Sequence, residues 1–215
     1  MFASQCSAEA PAVSVFHVVD ESLIQDTIRF GCLRGITVRR LLRQIESAEQ
    51  AGADAVMVTC SSIGPGVAFA QKLFDMPVIR VDEAMAKRAV QMGRRIGVAA
   101  TLQTTLEPTV ALLREKAAAA GKDISITSSL CKGAFEAVLS GDTVTHNRLL
   151  IRALVEDLQG VDLIVLAQAS MAQVVEAIPL GTLSVPVLSS PELAVKHTAA
   201  VLAEIECAAQ NGVRD

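Results

Sequence analysis

The stretches "ADAVMVTCSS" (residues 53–62) and "VDLIVLAQAS" (residues 161–170) decide the fold, because each is a short apolar run that ends in a polar turn. The two stretches superpose when the sequence is shifted by 108 residues. The matched pairs are Gly52 with Gly160, Asp54 with Asp162, Cys60 with Gln168 and Ser62 with Ser170. A helical pattern and then a proline-led strand follow each stretch, the second strand one residue out of step. This repeat predicts a chain made of two similar halves.

Short apolar runs alternate with longer helical patterns along the whole chain. Most of the runs are continuously apolar, as strands buried on both faces of a parallel sheet are. The predicted strands are residues 12–18, 53–59, 77–81, 95–100, 123–128, 162–167 and 185–189. The helical patterns between them are residues 37–52, 66–74, 82–93, 104–121, 143–160, 171–178 and 191–206. This alternation predicts an α/β fold with right-handed crossovers.

We expect two pseudo-symmetric, Rossmann-like α/β halves, each with a parallel sheet. The first half would comprise residues 1–93 and about 187–215 and would carry Cys60. The second half would comprise about 94–186 and would carry Gln168. Open α/β sheets bind ligands beyond the carboxyl ends of their strands. Because Cys60 and Gln168 both stand at such ends, we expect an active site in the cleft between the halves.

The composition argues against several classes of partner. The chain has 215 residues, 51% of them hydrophobic, which is enough for a large core. A net charge of −4 and the lack of tryptophan and tyrosine argue against nucleic acid as a partner. No apolar run reaches the roughly 18 to 20 residues of a membrane span, and the first residues do not resemble a secretion signal. Five scattered cysteines are typical of reduced thiols, so we expect a cytoplasmic protein.

Cys60 is a candidate catalytic residue because of its position. In "CSSIGPG" (residues 60–66), Gly64 and Gly66 permit tight turns, and Pro65 suits the first turn of a helix. The positive end of a helix dipole can lower the pKa of a thiol from its reference value of about 8.5. Such a loop can bind a carboxylate and hold a thiolate over the neighbouring carbon. The alternative is a cysteine that only packs, since free cysteine is among the most buried residue types.

Three motifs, in their order along the chain, resemble those of the aspartate/glutamate/hydantoin racemase superfamily. "VTCSSIG" (residues 58–64) is similar to its first cysteine motif, and "VLAQASM" (residues 165–171) stands where its second cysteine motif is expected. Between them, "GVAATLQT" (residues 97–104) resembles its G-V-x-A-T-x-x-T strand end. The resemblance covers nearly the whole chain. It implies an enzyme without pyridoxal phosphate, metal or other cofactor, in which two cysteines on opposite faces of the substrate carbon move a proton.

The resemblance also implies which residues bind the substrate. The expected carboxylate shell, carried over by motif, is Ser61, Ser62, Thr101, Thr104, Ala169 and Ser170. Their hydroxyls and backbone N–H groups would stabilise a carbanion or enediolate, as preorganised oxyanion sites do. The expected substrate is a small carboxylate or a hydantoin-like molecule.

The chain departs from the family at Gln168, which stands where the second cysteine is expected. A primary amide donates and accepts hydrogen bonds but does not usefully gain or lose a proton at neutral pH. This predicts one-thiol chemistry at Cys60, unless His17, at the end of the first predicted strand, replaces the second thiol. Three functions stay open: an isomerase, a one-thiol lyase that decarboxylates a malonate-like substrate, and a non-catalytic protein that binds a small anion.

The remaining histidines and cysteines give weaker signals. His17, His146 and His197 lack the spacing of metal ligands, so no metal site is predicted. Cys131 is interpreted as a packed thiol, because the repeat does not point to it. The high apolar fraction favours a homodimer.

Overall fold

The computed structural model describes residues 2–176, 178 and 181–212, and the chain divides into two compact units. The first unit contains the residues up to Val81 together with those from Pro191 onward, and the second contains Asp82–Ser190. Each unit combines helices with a parallel sheet. The predicted α/β class is therefore confirmed.

The first unit is built on a parallel pair of strands. Its elements are α1 (Phe2–Glu9), α2 (Glu21–Phe30), α3 (Gly35–Gln50), β1 (Val56–Val58), a 3₁₀ turn (Gly64–Gly66), α4 (Val67–Ala70) and β2 (Val78–Arg80). In the register of this pair Val58 lies opposite Arg80. One face of α3, with Leu41 and Ile45, packs into the apolar cluster that also contains Val58. This packing fixes where β1 ends, and Cys60 follows two residues later.

The second unit contains four parallel strands in the order β4–β3–β5–β6. Its elements are α5 (Glu83–Met92), β3 (Arg95–Ala100), α6 (Gln103–Ala119), β4 (Ser125–Leu130), α7 (Ala134–Leu139), α8 (Thr143–Arg152), a π-helical segment (Ala153–Asp157), β5 (Leu163–Leu166), a 3₁₀ turn (Ala169–Met171), α9 (Ala172–Glu176) and β6 (Val187–Leu188). The last helix, α10 (Ser190–Gly212), starts here and continues in the first unit. All four residues of β5 are buried, as expected for a central parallel strand.

The repeat predicted from the sequence is present inside both units. Each copy runs from a strand through a 3₁₀ turn and a short helix to a second, parallel strand. The backbone N–H of Val56 donates to the carbonyl of Pro77, and that of Ile164 donates to the carbonyl of Pro186, both at 2.9 Å. The helix after β2 belongs to the second unit, and almost all of the helix after β6 belongs to the first. Each copy therefore ends by crossing to the other unit.

The first predicted strand, residues 12–18, is wrong. These residues form an irregular segment between α1 and α2, with Val15, Phe16 and Val18 exposed. A run of β-branched residues becomes a strand only where it pairs with a neighbour, so its local preference is overridden here. The other six predicted strands are present among the described residues, and β3 matches its prediction at both ends. The helix predicted over 171–178 is seen as α9, while its residue Ala177 lies outside the described residues.

The polar residues that follow this segment begin helix α2. Asp20 is the N-cap of α2, and its carboxylate accepts a hydrogen bond from the backbone N–H of Ser22. The guanidinium of Arg40 also donates to Asp20, at 3.0 Å. Among the described residues, no helix is long and apolar enough to cross a lipid bilayer.

Asp162 fastens the start of β3 to the start of β5. One carboxylate oxygen accepts hydrogen bonds from the backbone N–H groups of Arg94 and Arg95, both at 2.9 Å. The other oxygen accepts two bonds from the Arg95 guanidinium. These bonds, the backbone ones first, lower the pKa of Asp162 to about 2. The side chain therefore stays ionised wherever the protein is folded near neutral pH.

Asp162→Asn is expected to make the free energy of unfolding less dependent on acid pH. The pKa of Asp162 in the folded chain lies below the value of about 3.9 in an unfolded chain. A carboxyl group of this kind stabilises the fold fully above its unfolded pKa and loses that effect as the pH falls through its folded pKa. Urea unfolding at about pH 7, 4 and 2.5 measures the free energy of unfolding of both proteins. The difference between wild type and variant should become smaller as the pH falls. Asp54→Asn is the control, because Asp54 is exposed and is the residue that matches Asp162 in the repeat. A difference between wild type and Asp162→Asn that is the same at every pH would contradict the expectation.

Candidate active site

Cys60 opens a tight loop at the carboxyl end of β1, which we call the Cys60 loop (residues 60–66). Its turns are closed by backbone bonds from Ile63 to the Cys60 carbonyl at 3.2 Å and from Gly64 to the Ser61 carbonyl at 3.1 Å. Ser61 and Ser62 are buried, whereas Cys60 is partly exposed and is not in a disulfide. The loop thus presents the thiol and holds the two serines below the surface.

The helix after the Cys60 loop is shorter than its sequence pattern indicates. The predicted helix spans 66–74, but α4 covers only Val67–Ala70, and turns follow it. One helical turn aligns too few peptide dipoles to supply much positive potential. This short helix therefore provides little of the dipole that the sequence pattern predicts beside Cys60.

Arg80 supplies a positive charge beside the Cys60 loop. A Cβ atom built on Gly64 would lie 2.6 Å from Nε and 2.9 Å from Cζ of Arg80, so the guanidinium packs directly on this glycine. Arg80 is the last residue of β2, whose partner strand β1 leads into the loop. The sequence analysis missed this residue. The available signal was a charged side chain at the end of the otherwise apolar run "PVIRV" (residues 77–81).

Gln168 is held by Thr101 at the carboxyl edge of the second sheet. Its Oε1 accepts a hydrogen bond from the backbone N–H of Thr101 at 2.6 Å and lies 3.0 Å from the Thr101 hydroxyl. Its Nε2 donates to the same hydroxyl at 2.8 Å. A backbone N–H can only donate, so the amide orientation is fixed with its oxygen on Thr101. Each amide nitrogen carries two hydrogens, and one of them remains beyond the bond to Thr101.

Two buried hydroxyls of the second unit have no hydrogen-bond partners among the described residues. Thr104 lies in the first turn of α6, three residues after Thr101, and its Oγ1 is unsatisfied. Ser190 is 1% exposed, and its Oγ is also unsatisfied. The β5–β6 register pairs Val165 with Leu188, and Ser190, the first residue of α10, follows Leu188 by two residues. Buried polar groups are nearly always hydrogen-bonded, so both hydroxyls are expected to find a partner in a bound ligand or water.

The other predicted site residues differ in exposure. Ala169 and Ser170 form the 3₁₀ turn directly after Gln168, and Ser170 is exposed. His17 is exposed and lies in the irregular segment, so its predicted position at a strand end is wrong. Ser190 was missed because nothing in the sequence marks its hydroxyl as buried.

Cys131 is a buried thiol of a different kind. It lies in the apolar core of the second unit, directly after β4. Burial, and then the nearby Asp157 carboxylate, raise the pKa of Cys131 to about 11. This thiol stays protonated at neutral pH, in agreement with its interpretation as a packed residue. Within the described part of the chain, no three His, Cys, Asp or Glu side chains are grouped so as to hold a metal ion.

The two units, one with a thiol at a sheet end and the other with a fixed amide, have the fold of racemases. A family model for Asp/Glu/hydantoin racemases matches residues 1–198. The chain therefore belongs to the Asp/Glu/hydantoin racemase family, and the resemblance drawn from its motifs is confirmed. No curated protein sequence matches the chain significantly.

Several solved racemases share this fold at low sequence identity. A glutamate racemase from Bacillus anthracis matches with a TM-score of 0.69 and 18% identity, covering 94% of this chain and 77% of that one. An allantoin racemase from Pseudomonas fluorescens matches with a TM-score of 0.61 and 23% identity, covering 95% and 85%. An allantoin racemase from Klebsiella pneumoniae matches with a TM-score of 0.57 and 21% identity, covering 94% and 82%. At these identities the similarity concerns the fold alone.

Proposed function

We propose that the protein is a cofactor-independent isomerase that moves a proton at a carbon next to a carboxylate or carbonyl group. Membership of the racemase family supports the reaction class. The observation that carries the proposal is the clamped amide of Gln168, at the position where the family resemblance leads us to expect a second thiol. With the amide in that place, Cys60 is the thiol that acts as acid and base.

The proposed roles follow from what each group can donate. Cys60, as thiolate, takes the proton from the substrate carbon. As thiol it returns a proton after the planar enediolate has turned its other face to the sulfur, and this turn gives inversion. Gln168 donates the remaining Nε2 hydrogen to a substrate oxygen, while Thr101 keeps the amide from rotating. The hydroxyls and backbone groups of the shell stabilise the charge that develops on the carboxylate or enediolate. That proposed shell comprises Ser61, Ser62, Thr101, Thr104, Ala169 and Ser170.

His17 is a second candidate for the proton transfer. An imidazole can accept and donate a proton, so this side chain has the chemistry to replace a second thiol. It lies on an exposed, irregular segment, and its use in catalysis would require that segment to bring it to Cys60. His17→Gln tests this role: an unchanged rate of proton exchange would remove His17 from the site.

The test of the function is proton exchange in deuterated water. The purified chain, without added cofactor, is incubated with aspartate, glutamate, substituted hydantoins and substituted malonates. Proton NMR measures loss of the signal from the reacting carbon, and optical rotation measures inversion. We expect exchange in one substrate group. Release of carbon dioxide from a malonate, without proton exchange in the substrates that keep their carboxylate, would indicate a lyase. Tight binding without either reaction would indicate an anion-binding protein.

Thr104→Val is expected to weaken substrate binding without weakening the fold. The variant removes a buried hydroxyl that lacks an internal partner, so the free energy of unfolding should not fall. Loss of one hydrogen bond to the substrate should raise KM roughly tenfold. Thr109→Val is the matched control on the same helix: its hydroxyl donates to the Thr105 carbonyl at 2.9 Å, so its loss should lower stability and leave KM unchanged. Equal KM values in both variants would contradict the role of Thr104.

The proposed assembly is a homodimer, and the proposed compartment is the cytoplasm. Val15, Phe16, Val18 and Val19 are exposed apolar side chains on one segment, and such patches commonly mark protein interfaces. Sedimentation equilibrium should give twice the chain mass of 22.6 kDa. A single-chain mass at all concentrations would overturn the dimer.

A further inference from the structure

Residues 12–19, which we call the strap, combine the sequence of a strand with an exposed, irregular backbone. Val15, Phe16, Val18 and Val19 are 43% to 77% exposed. β-Branched and aromatic side chains favour a pleated, half-buried surface, and contact with water is unfavourable for them. The strap therefore lies outside the environment that its sequence favours.

The strand β1 has an edge that is open for pairing. The N–H of Val56 and the carbonyl of Val58 bond to residues that flank β2, so the backbone of Met57, between them, points to the other side. On that side no backbone hydrogen bond joins Met57 to a described residue. An unpaired edge of this kind is a template for a further strand.

The second copy of the repeat has a strand at the corresponding edge. Val165 matches Met57, and its strand β5 lies between β6 and β3. In that sheet Val165 is opposite Val98 of β3. In the first copy β2 takes the place of β6, and no described strand takes the place of β3. The strap is the predicted strand of the first unit that has no partner.

The helix after each segment gives the strap a register on β1. The N-cap of α6 is Leu102, four residues after Val98 of β3. The N-cap of α2 is Asp20, four residues after Phe16 of the strap. Matching the two N-caps puts Phe16 beside Met57, just as Val98 lies beside the residue that matches Met57.

Asp54 independently supports the same register. Its match, Asp162, accepts hydrogen bonds from two successive backbone N–H groups at the start of β3, both at 2.9 Å. In the strap the register assigns these two positions to Ala12 and Val13. They are the first residues that can donate after Pro11, since proline has no N–H. Asp54 is exposed, so its carboxylate is accessible to them.

The strap can reach β1 while the helices around it stay folded. At its end, Leu23 of α2 packs in the apolar cluster that also contains Val58 of β1. At its start, α1 is fully described and contains no buried residue, so it can follow the movement at little cost. The connection from the strap through α2 and α3 to β1 is a crossover between parallel strands, as α/β folds use.

We propose that the strap closes onto the free edge of β1 as a third parallel strand, and that the exposed arrangement is the open one of two states. In the closed state Phe16 lies beside Met57, and Val19 is level with Cys60. Closure takes the apolar side chains of the strap out of water and pairs the backbone of Met57. It also puts an apolar residue beside the Cys60 loop, which keeps water from that side of the site. This device goes beyond the proposed function and holds whichever reaction the site performs.

Pairs of introduced cysteines in the full chain test closure. Phe16→Cys with Met57→Cys puts two thiols on neighbouring strands, whose Cα atoms lie about 4.8 Å apart in the closed state, within the span of a disulfide. Val15→Cys with Met57→Cys is the matched control, because successive side chains of a strand point to opposite faces. Oxidised glutathione takes up the two electrons as the thiols join. Peptide mass spectrometry distinguishes the new disulfide from any that involves a native cysteine.

The disulfide between positions 16 and 57 is expected to form roughly tenfold faster than the one between positions 15 and 57. Adding Asp54→Asn to the first pair should slow its disulfide several-fold, because the amide binds the two N–H groups more weakly than the carboxylate does. Hydrogen exchange at the backbone N–H of position 57 should become slower once the disulfide has formed, since that group is then paired.

Equal rates for the two pairs overturn the inference. A disulfide between position 16 of two copies that forms faster than the internal one also overturns it, because a second copy would then cover the strap. Circular dichroism shows whether each variant is folded. Should Met57→Cys fail to fold, Val18→Cys with Thr59→Cys, the next pair on the same face, decides the matter, with Val19→Cys and Thr59→Cys as its control.

Discussion

Cys60→Ala is expected to lower kcat/KM by about 10³-fold for whichever substrate exchanges its proton. The methyl side chain of alanine neither accepts nor releases a proton in water, and general acid–base groups contribute on the order of 10² to 10⁴ in rate. The side chain is partly exposed and forms no disulfide. Because this side chain packs in part on the apolar cluster of the first unit, the free energy of unfolding should fall by no more than about 1 kcal/mol. Initial rates of deuterium exchange and a urea unfolding curve measure the two quantities.

Cys131→Ala is the matched control for this prediction. Its thiol is buried and protonated, so the variant should lose stability through the small cavity left in the core while kcat/KM stays near wild type. The two variants should thus show opposite effects on activity and stability. Exchange at the wild-type rate in Cys60→Ala would eliminate the one-thiol mechanism.

The strands that could be predicted from the sequence are those whose apolar residues are also buried and paired in the fold. β5 is continuously apolar, and β3 is apolar after Arg95. Each pairs with a strand on both sides, so local preference and packing lead to the same result. Residues 12–18 have the same local preference, but an irregular segment stands there instead. Pairing depends on distant residues, and apolar periodicity does not report it.

Helix α2 was missed although the sequence contained its end signals. Asp20 caps its first turn, and Gly31 closes its last turn in the left-handed conformation with φ of 68°. An acidic N-cap and a glycine after the last turn are strong helix boundaries. The apolar run before Asp20 led to the prediction of a strand over residues 12–18, and no helix was predicted after it. Attention to these capping residues would have predicted helix α2. It would not have removed the wrongly predicted strand over residues 12–18.

The candidate site could be predicted in part because the repeat aligned it. Gln168 was found as the polar residue that matches Cys60, but its clamp by Thr101 joins residues 67 positions apart. Arg80 was missed because its contact with Gly64 is visible only in three dimensions. The unsatisfied hydroxyl of Ser190 is likewise a consequence of burial. Sequence motifs thus identified the polar residues of the loops, while the contacts that orient them required the fold.

Gln168→Met and Gln168→Glu together are expected to separate the clamp from the hydrogen-bond donor. Methionine has a similar length but no acceptor, so the buried N–H of Thr101 loses its partner and the free energy of unfolding should fall by about 1 to 3 kcal/mol. Glutamate keeps an acceptor for Thr101 and should leave stability near wild type. Both variants lose the Nε2 donor, so both should lower kcat/KM by about 10², as loss of an oxyanion donor does.

The pH dependence of Gln168→Glu gives this prediction its sharpest control. A protonated carboxylic acid again carries an O–H donor, so kcat/KM relative to wild type should recover as the pH falls towards the ordinary pKa of a glutamate, about 4.3. Gln168→Met has no group to titrate and should show no such recovery. Because the two variants share the same wild-type reference at each pH, protonation of Cys60 or of the substrate cancels from the comparison. Wild-type activity in Gln168→Glu at neutral pH would show that the amide only holds Thr101, and the donor role would then have to be given up.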